Sequence, residues 1–301
     1  MSLLVTGSIG IDTVETPHGR AENVLGGSSI YFSLAGSLFT PVRLVGVVGD
    51  DFDPQWLKPL QDRGIDTRGV EIRSGSKTFR WHGKYTGSMN EAQTLGVELN
   101  VLAERGATIP PEFADSDYVF LANTHPAIQR DFARQFPDAD LVVADTMNLW
   151  IENEPDELRR LLAVVDGLVL NEGEARLLTG HQNLVVAGLE ILKLGPRFVI
   201  IKKGEHGSLL VSHDDLCVIP AYPTQRTIDP TGCGDTFAGA MMGYLAARQS
   251  TSPETLRAAM ARGSVVASFV IEAFSVDALQ RVTAADVEQR LEELKRIARF
   301  D

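Results

Sequence analysis

Asp229-Pro230-Thr231-Gly232-Cys233-Gly234-Asp235 runs straight into Thr236-Phe237-Ala238-Gly239-Ala240-Met241-Met242-Gly243-Tyr244-Leu245, which places a carboxylate behind a glycine turn at the mouth of an apolar helix. Gly232 and Gly234 allow a tight turn, so unpaired N–H groups converge where the helix dipole also favours negative charge. A carboxylate set inside such an anion cradle is suited to taking a proton from a hydroxyl that attacks a phosphate. The stretch therefore points to phosphoryl transfer, with Asp235 as base and the N–H groups of Gly232, Cys233 and Gly234 stabilising the transferring charge. The helix terminus is expected to keep Asp235 ionised. Taken alone, the same residues serve equally well as a helix cap.

Working outward, short apolar runs alternate with helical patterns along the chain. Leu3-Leu4-Val5-Thr6 ends in glycines and predicts a buried first strand, 26–39 a packed helix, and Val42-Arg43-Leu44-Val45-Gly46-Val47-Val48 a second strand, after which Gly49-Asp50-Asp51 opens the next helix. Later strands are expected at 118–121, 141–144, 167–170 and 198–201, with helices at 126–136, 157–165 and 183–194 between them. This rhythm predicts an α/β fold with a doubly wound, mostly parallel sheet and helices on both faces, formed as one domain over 1–301. Two segments break the rhythm, about 11–24 and about 77–100. The second carries Phe79, Trp81 and Tyr85 at alternating positions, as a half-buried strand would, and together the two predict a small β lid. The segment 284–300 reads as an amphipathic, solvated outer helix.

Composition limits the partners. A hydrophobic fraction of 44% and a charged fraction of 23% fit a soluble globular chain, and a formal net charge of −12 argues against a nucleic-acid or anionic-membrane surface. The two cysteines, Cys217 and Cys233, match no disulfide framework or metal motif, so a reducing cytoplasm is the expected setting. Met1-Ser2-Leu3-Leu4-Val5-Thr6-Gly7 lacks a basic leader region and no apolar run approaches the roughly 18 residues of a bilayer span, so neither a targeting segment nor a membrane span is expected.

Asp229 to Ala240 resembles the C-terminal signature of the ribokinase-like (PfkB-type) carbohydrate kinases. Leu25-Gly26-Gly27-Ser28-Ser29 is similar to that family's N-terminal Gly-Gly motif, and Asn171-Glu172-Gly173-Glu174 to its Asn-x-x-Glu motif, in the family's order. Pro230 and Cys233 depart from the usual Thr and Ala, and neither removes the catalytic group. The resemblance implies an ATP- and Mg²⁺-dependent kinase acting on a hydroxymethyl group of a small sugar or nucleoside. It implies acceptor contacts from Asp12, Gly26, Gly27 and Ser28, and a nucleotide cleft lined by Asn171, Lys203, Gly204, Gly207, Gly263 and Ala267. It also implies Glu174 as an organiser of Mg²⁺, directly or through water, and Asp229 beside a monovalent cation such as K⁺. Asn171 and Glu174 also carry the spacing of a helix cap, and the small residues around Gly263 would equally suit close helix packing. Asn123 and Asn148, near the carboxyl ends of predicted strands, are expected in the acceptor wall, as is the run from Asp145 to Trp150. Tyr31 and Phe32 suggest an aromatic wall suited to a nucleoside base, or alternatively core. The lid aromatics could contact substrate or cement a homodimer. A different class, a sensor that keeps the fold without the reaction, is disfavoured by the intact Asp235 and Gly-x-Gly. A dehydrogenase is disfavoured because Gly7-Ser8-Ile9-Gly10 lacks the dinucleotide fingerprint, and the chain has no Walker A motif.

Overall fold

The structure, a computed structural model, describes residues 2–299. In chain order, β1 (Leu3–Thr6) leads into β2 (Gly10–Thr16), β3 (Gly19–Gly26), α1 (Ser28–Gly36), β4 (Val42–Gly49), α2 (Lys58–Asp62), β5 (Asp66–Arg73), β6 (Phe79–Tyr85) and β7 (Ala92–Glu98). Regular alternation follows with β8 (Tyr118–Leu121), α3 (Pro126–Ala133), β9 (Leu141–Asp145), α4 (Asn148–Asn153), α5 (Pro155–Leu162), β10 (Gly167–Asn171), α6 (Glu172–Thr179), α7 (Leu184–Leu192) and β11 (Phe198–Lys202). The chain closes with β12 (Ser208–Ser212), β13 (Leu216–Ile219), α8 (Cys233–Arg248), α9 (Pro253–Val270) and α10 (Ala284–Ile297).

Nine strands form one sheet in the order β13-β12-β11-β10-β9-β8-β1-β4-β5. It is parallel except for β12 and β13, which join antiparallel at one edge. Residues along its central strands alternate between two cores, as the period of two requires. Leu3, Val5 and Phe120 pack with Phe32 of α1, Met241 of α8 and Met260 of α9. Leu4, Val119 and Leu121 pack on the other face with Phe132 of α3, Leu158 of α5 and Ile191 of α7. With both faces covered, these strands read as continuous apolar runs.

The two irregular segments build a separate four-stranded sheet in the order β3-β2-β6-β7. Val14, Tyr85 and Met89 form its small core, with Trp81 and Phe274 packed against them. The helix expected after Gly49 begins later, at a 3₁₀ turn over Pro54–Leu57 followed by α2. Asp50 and Asp51 instead accept hydrogen bonds from the backbone N–H groups of Gly75 and Thr78, fastening the loop before β6. The outer helix ends at Ile297, and Phe300 lies outside the described residues.

Candidate active site

The glycine turn and the start of α8 form the centre. Gly232, the residue before the helix, has φ 75°, and a Cβ there would come within 2.4 Å of the Tyr31 ring. Only glycine satisfies both demands. The Cys233 N–H bonds to the Pro230 carbonyl at 3.2 Å, so the anion cradle is narrower than the three N–H groups expected, whereas Gly234 N–H has no backbone partner among the described residues. Lys202, the last residue of β11, completes the cradle: its Nζ lies 2.8 Å from where a Gly234 Cβ would sit. Asp235 is half-buried, and its carboxyl is pushed above the ordinary range by burial, with Lys202 and its own N–H opposing. It is therefore a stronger base than the helix terminus alone implies. The Cys233 thiol is pushed up by burial and the charges of Asp229 and Asp235, which disfavours its thiolate.

Within the field of Asp229 and Asp235, Asp12 on β2 is 4% exposed and nests against the corner between β3 and α1. A Cβ at Gly26 would overlap its Oδ2, the Gly27 N–H bonds to it, and Oδ1 is buried without a partner. Burial, with the charges of Asp229 and Asp235, raises its pKa to about 7. Gly27 has φ 99°, and a side chain there would strike the Ser8 carbonyl. Ser28 is not brought to the cleft in an available form, because its Oγ is tied to the Ser8 N–H at 3.2 Å and Oγ at 3.0 Å. Tyr31 underlies the glycine turn and Phe32 stacks on Phe120 at 4.5 Å, so both are core rather than an open aromatic wall.

At the end of β8, Asn123 accepts from Trp150 Nε1 at 2.8 Å, while Asn148 is exposed at the start of α4. Asp145 closes β9 with Oδ1 buried and unpartnered, and its pKa is raised well above the ordinary range by burial, then by the charges of Asp235 and Glu174 against Lys202. Sequence reading put Asp145 in the acceptor wall; the structure puts it in a carboxylate group with Asp235 and Glu174 around one ammonium.

Where the resemblance expects the nucleotide, Asn171 and Glu174 do form the reciprocal cap, at 2.8 and 2.7 Å. Glu174 is nevertheless buried and shares the field of Lys202 and Asp235. Lys202 reaches this group because it pairs with Asn171 at the ends of β11 and β10. Lys203 sits one residue beyond, and Lys202 is thus the lysine on the cradle. Gly204 lies beside Asn90, and Gly207 packs on the Ile219 carbonyl. Gly263 is occupied by helix packing, since a Cβ there would meet Phe237 Cδ2 at 2.7 Å; Ala267 lies next to Cys233, whose Sγ is 3.8 Å from its carbonyl. Asp229, 1% exposed, accepts from Thr231 N–H at 2.9 Å and Ser275 N–H at 3.3 Å. The small sheet spans both sides: Thr231 Oγ1 donates to Tyr85 Oη at 3.4 Å, and Asn90 Nδ2 donates to Glu205 Oε1 at 2.9 Å.

Among the described residues no group of three or more His, Cys, Asp or Glu is arranged to hold a metal by itself. An oxygen-only set of buried carboxylates, with Asp145 Oδ1 unpartnered, fits Mg²⁺, which keeps waters and takes further ligands from phosphate.

The sequence profile of the pfkB family carbohydrate kinases matches residues 7–281. The chain is 30% identical to a cytidine kinase of Thermococcus kodakarensis over 254 residues, 82% of this chain and 88% of that protein. It is 26% identical to a nucleoside kinase of Methanothermobacter thermautotrophicus, covering 84% and 80% of the two chains. The nucleoside kinase of Burkholderia thailandensis, solved with inosine, shares the fold at TM-score 0.78 with 19% identity over 97% of both chains. That of Methanocaldococcus jannaschii does so at TM-score 0.77 with 20% identity, over 97% of this chain and 98% of its own.

Proposed function

From the premise that this chain belongs to the pfkB family of carbohydrate kinases, ATP-dependent phosphotransferases with an alcohol acceptor, we propose that it phosphorylates the hydroxymethyl group of a ribonucleoside. The observation that carries this is Asp235 at the mouth of α8, beside Gly234 N–H and Lys202, with Asp12 close enough to feel its charge. The preference for a nucleoside over a bare sugar is supported by the cytidine kinase and nucleoside kinase relatives.

In this mechanism Asp12 accepts from substrate hydroxyls and fixes the hydroxymethyl group in line with the γ-phosphate. The hydroxyl oxygen attacks phosphorus, its proton passes to Asp235, and ADP leaves. Lys202 and the Gly234 N–H oppose the charge on the transferring phosphoryl group. Glu174 and Asp145 would hold Mg²⁺, directly or through water, and the ion would supply neutralising charge at the ATP phosphates. The segments 11–24 and 77–100 act as the lid of a single kinase domain, excluding water that would otherwise compete as acceptor. A monovalent cation near Asp229 suits a buried carboxylate whose hydrogen-bond partners are neutral. The exposed row Leu95, Val97 and Leu99 on and beside edge strand β7 suits a homodimer formed through the lid. No helix among the described residues is long and apolar enough to cross a membrane, and with two free cysteines a cytoplasmic setting is the natural one.

The test is ADP release from Mg-ATP with a panel of ribonucleosides, pentoses, hexoses and polyols, alongside Asp235→Asn. Strong stimulation by a nucleoside, lost in the variant, is expected. Stimulation only by a sugar would overturn the acceptor assignment, and ATP binding without stimulation by any acceptor would favour a sensor.

A further inference from the structure

One polar side chain in the acceptor wall has its hydrogen-bond sense fixed by its neighbours. Asn123 stands two residues past β8. The chain leading to it runs against Gly7 and the β3–α1 corner on which Asp12 nests: a Cβ on Gly7 would meet the Ala122 Cβ at 2.7 Å and Ser28 Oγ at 2.8 Å. On the other side, Gln129 Nε2 donates to the carbonyls of Leu121 at 2.7 Å, Ala122 at 3.3 Å and Asp145 at 3.0 Å, which clamps the ends of β8 and β9 together. The chain that leads into Asn123 is thus fixed on both sides.

An amide can be turned either way, but an indole N–H only donates. Trp150 Nε1 lies 2.8 Å from Asn123 Oδ1, so that atom is the acceptor and Nδ2 is the donor end. One Nδ2 hydrogen is directed to Met147 Sδ at 3.0 Å, a weak acceptor, and the other has no partner among the described residues. Trp150 is itself held against the His125 ring, centroids 5.1 Å apart, and His125 Nδ1 accepts from Ala127 N–H. The result is a half-buried aromatic wall carrying one oriented donor.

We propose that Asn123 reads the nucleobase by donating its free Nδ2 hydrogen to N3 of cytosine, with Trp150 as the positioning residue that sets the amide. The assignment rests on the nucleoside kinase reading. N3 accepts in cytosine and carries a hydrogen in uracil, so a fixed donor favours cytidine and sets two N–H groups face to face with uridine. Leaving such a pair unmatched is a stronger discriminator than shape alone.

The experiment measures kcat/KM for cytidine, uridine, adenosine, inosine and ribose with Mg-ATP in the wild-type chain, Asn123→Asp and Trp150→Phe, with thermal unfolding of each as a folding check. Wild type is expected to favour cytidine over uridine by about tenfold or more. Asn123→Asp keeps an acceptor for the indole but exchanges the donor for an acceptor, so the cytidine to uridine ratio falls by about tenfold or more, chiefly through KM. Trp150→Phe frees the amide to turn and narrows the ratio. An unchanged ratio in both variants, or a wild-type preference for purine nucleosides, overturns the base assignment while leaving the nucleoside kinase reading intact. Turnover of ribose with no nucleoside turned over overturns that reading, and this assignment with it.

Discussion

Gly26 holds its backbone so close to Asp12 that a methyl group at position 26 would lie 1.9 Å from the carboxylate Oδ2. The clash is with the end of a side chain rather than with backbone, so Gly26→Ala is expected to fold while displacing Asp12 from its place. Acceptor KM should rise on the order of tenfold with a much smaller change in KM for ATP, checked by steady-state kinetics in both substrates.

Asp12 also predicts a pH dependence. Its folded pKa of about 7 lies above the ordinary value of 3.8, so in the free enzyme it gains full capacity to accept from two hydroxyls only above neutrality. Acceptor kcat/KM is expected to climb between pH 6 and 8, and that step should vanish in Asp12→Asn. Stability runs the other way. A raised folded pKa contributes stability fully present below the unfolded value of 3.8 and lost progressively as pH rises to about 7, so wild-type Tm should fall relative to Asp12→Asn across that span and level off above it.

Asp235→Asn removes the base but leaves the Gly234 N–H and Lys202 in place. Turnover is expected to drop by about 10²-fold or more with nucleotide affinity largely retained. Near-normal turnover in this variant would remove Asp235 from the proton-transfer role.

Lys202 and Lys203 are adjacent in sequence and unequal in position. Lys202→Met leaves Asp145, Glu174 and Asp235 without the cation they share, so it should cost at least about tenfold more in kcat/KM for ATP than Lys203→Met. A larger loss in Lys203→Met would place the phosphate contact on Lys203.

Gly263→Ala tests a packing position. The added methyl would meet Phe237 Cδ2 at 2.7 Å and the Phe237 carbonyl at 2.9 Å, where α9 lies against α8. A loss of about 1–3 kcal/mol in unfolding free energy is expected, with KM for ATP little changed in the folded protein. The reverse pattern would restore Gly263 to the nucleotide pocket.

Much of this was legible because the sequence carries the relevant periods. Leu3-Leu4-Val5-Thr6 is buried at every position, and apolar at all but Thr6, because β1 is covered on both faces, and Phe79, Trp81 and Tyr85 alternate because β6 has one packed face. The segment from Asp229 to Asp235 was readable because a glycine turn feeding a helix declares its geometry locally. What could not be read depends on distant partners. Ser28 looks available until Ser8 claims it across twenty positions of chain. Phe32 resembles a stacking wall until Phe120 covers it. The choice of Lys202 over Lys203 follows from the register of β11 on β10, which neither residue announces. The elevated basicity of Asp235 and Asp145 is likewise a product of enclosure, which composition does not encode.

Tyr85 and Asn90 belong to one short excursion of chain, yet the first meets Thr231 at the transfer turn and the second meets Glu205 at the nucleotide turn. On the lid reading proposed above, lifting that excursion would break both contacts together, so that one gate would serve both halves of the site. Departure of the phosphorylated product and exchange of ADP for ATP would then draw on the same opening event. A substitution at Asn90 would be felt in the residence time of the acceptor as much as in that of the nucleotide it stands beside.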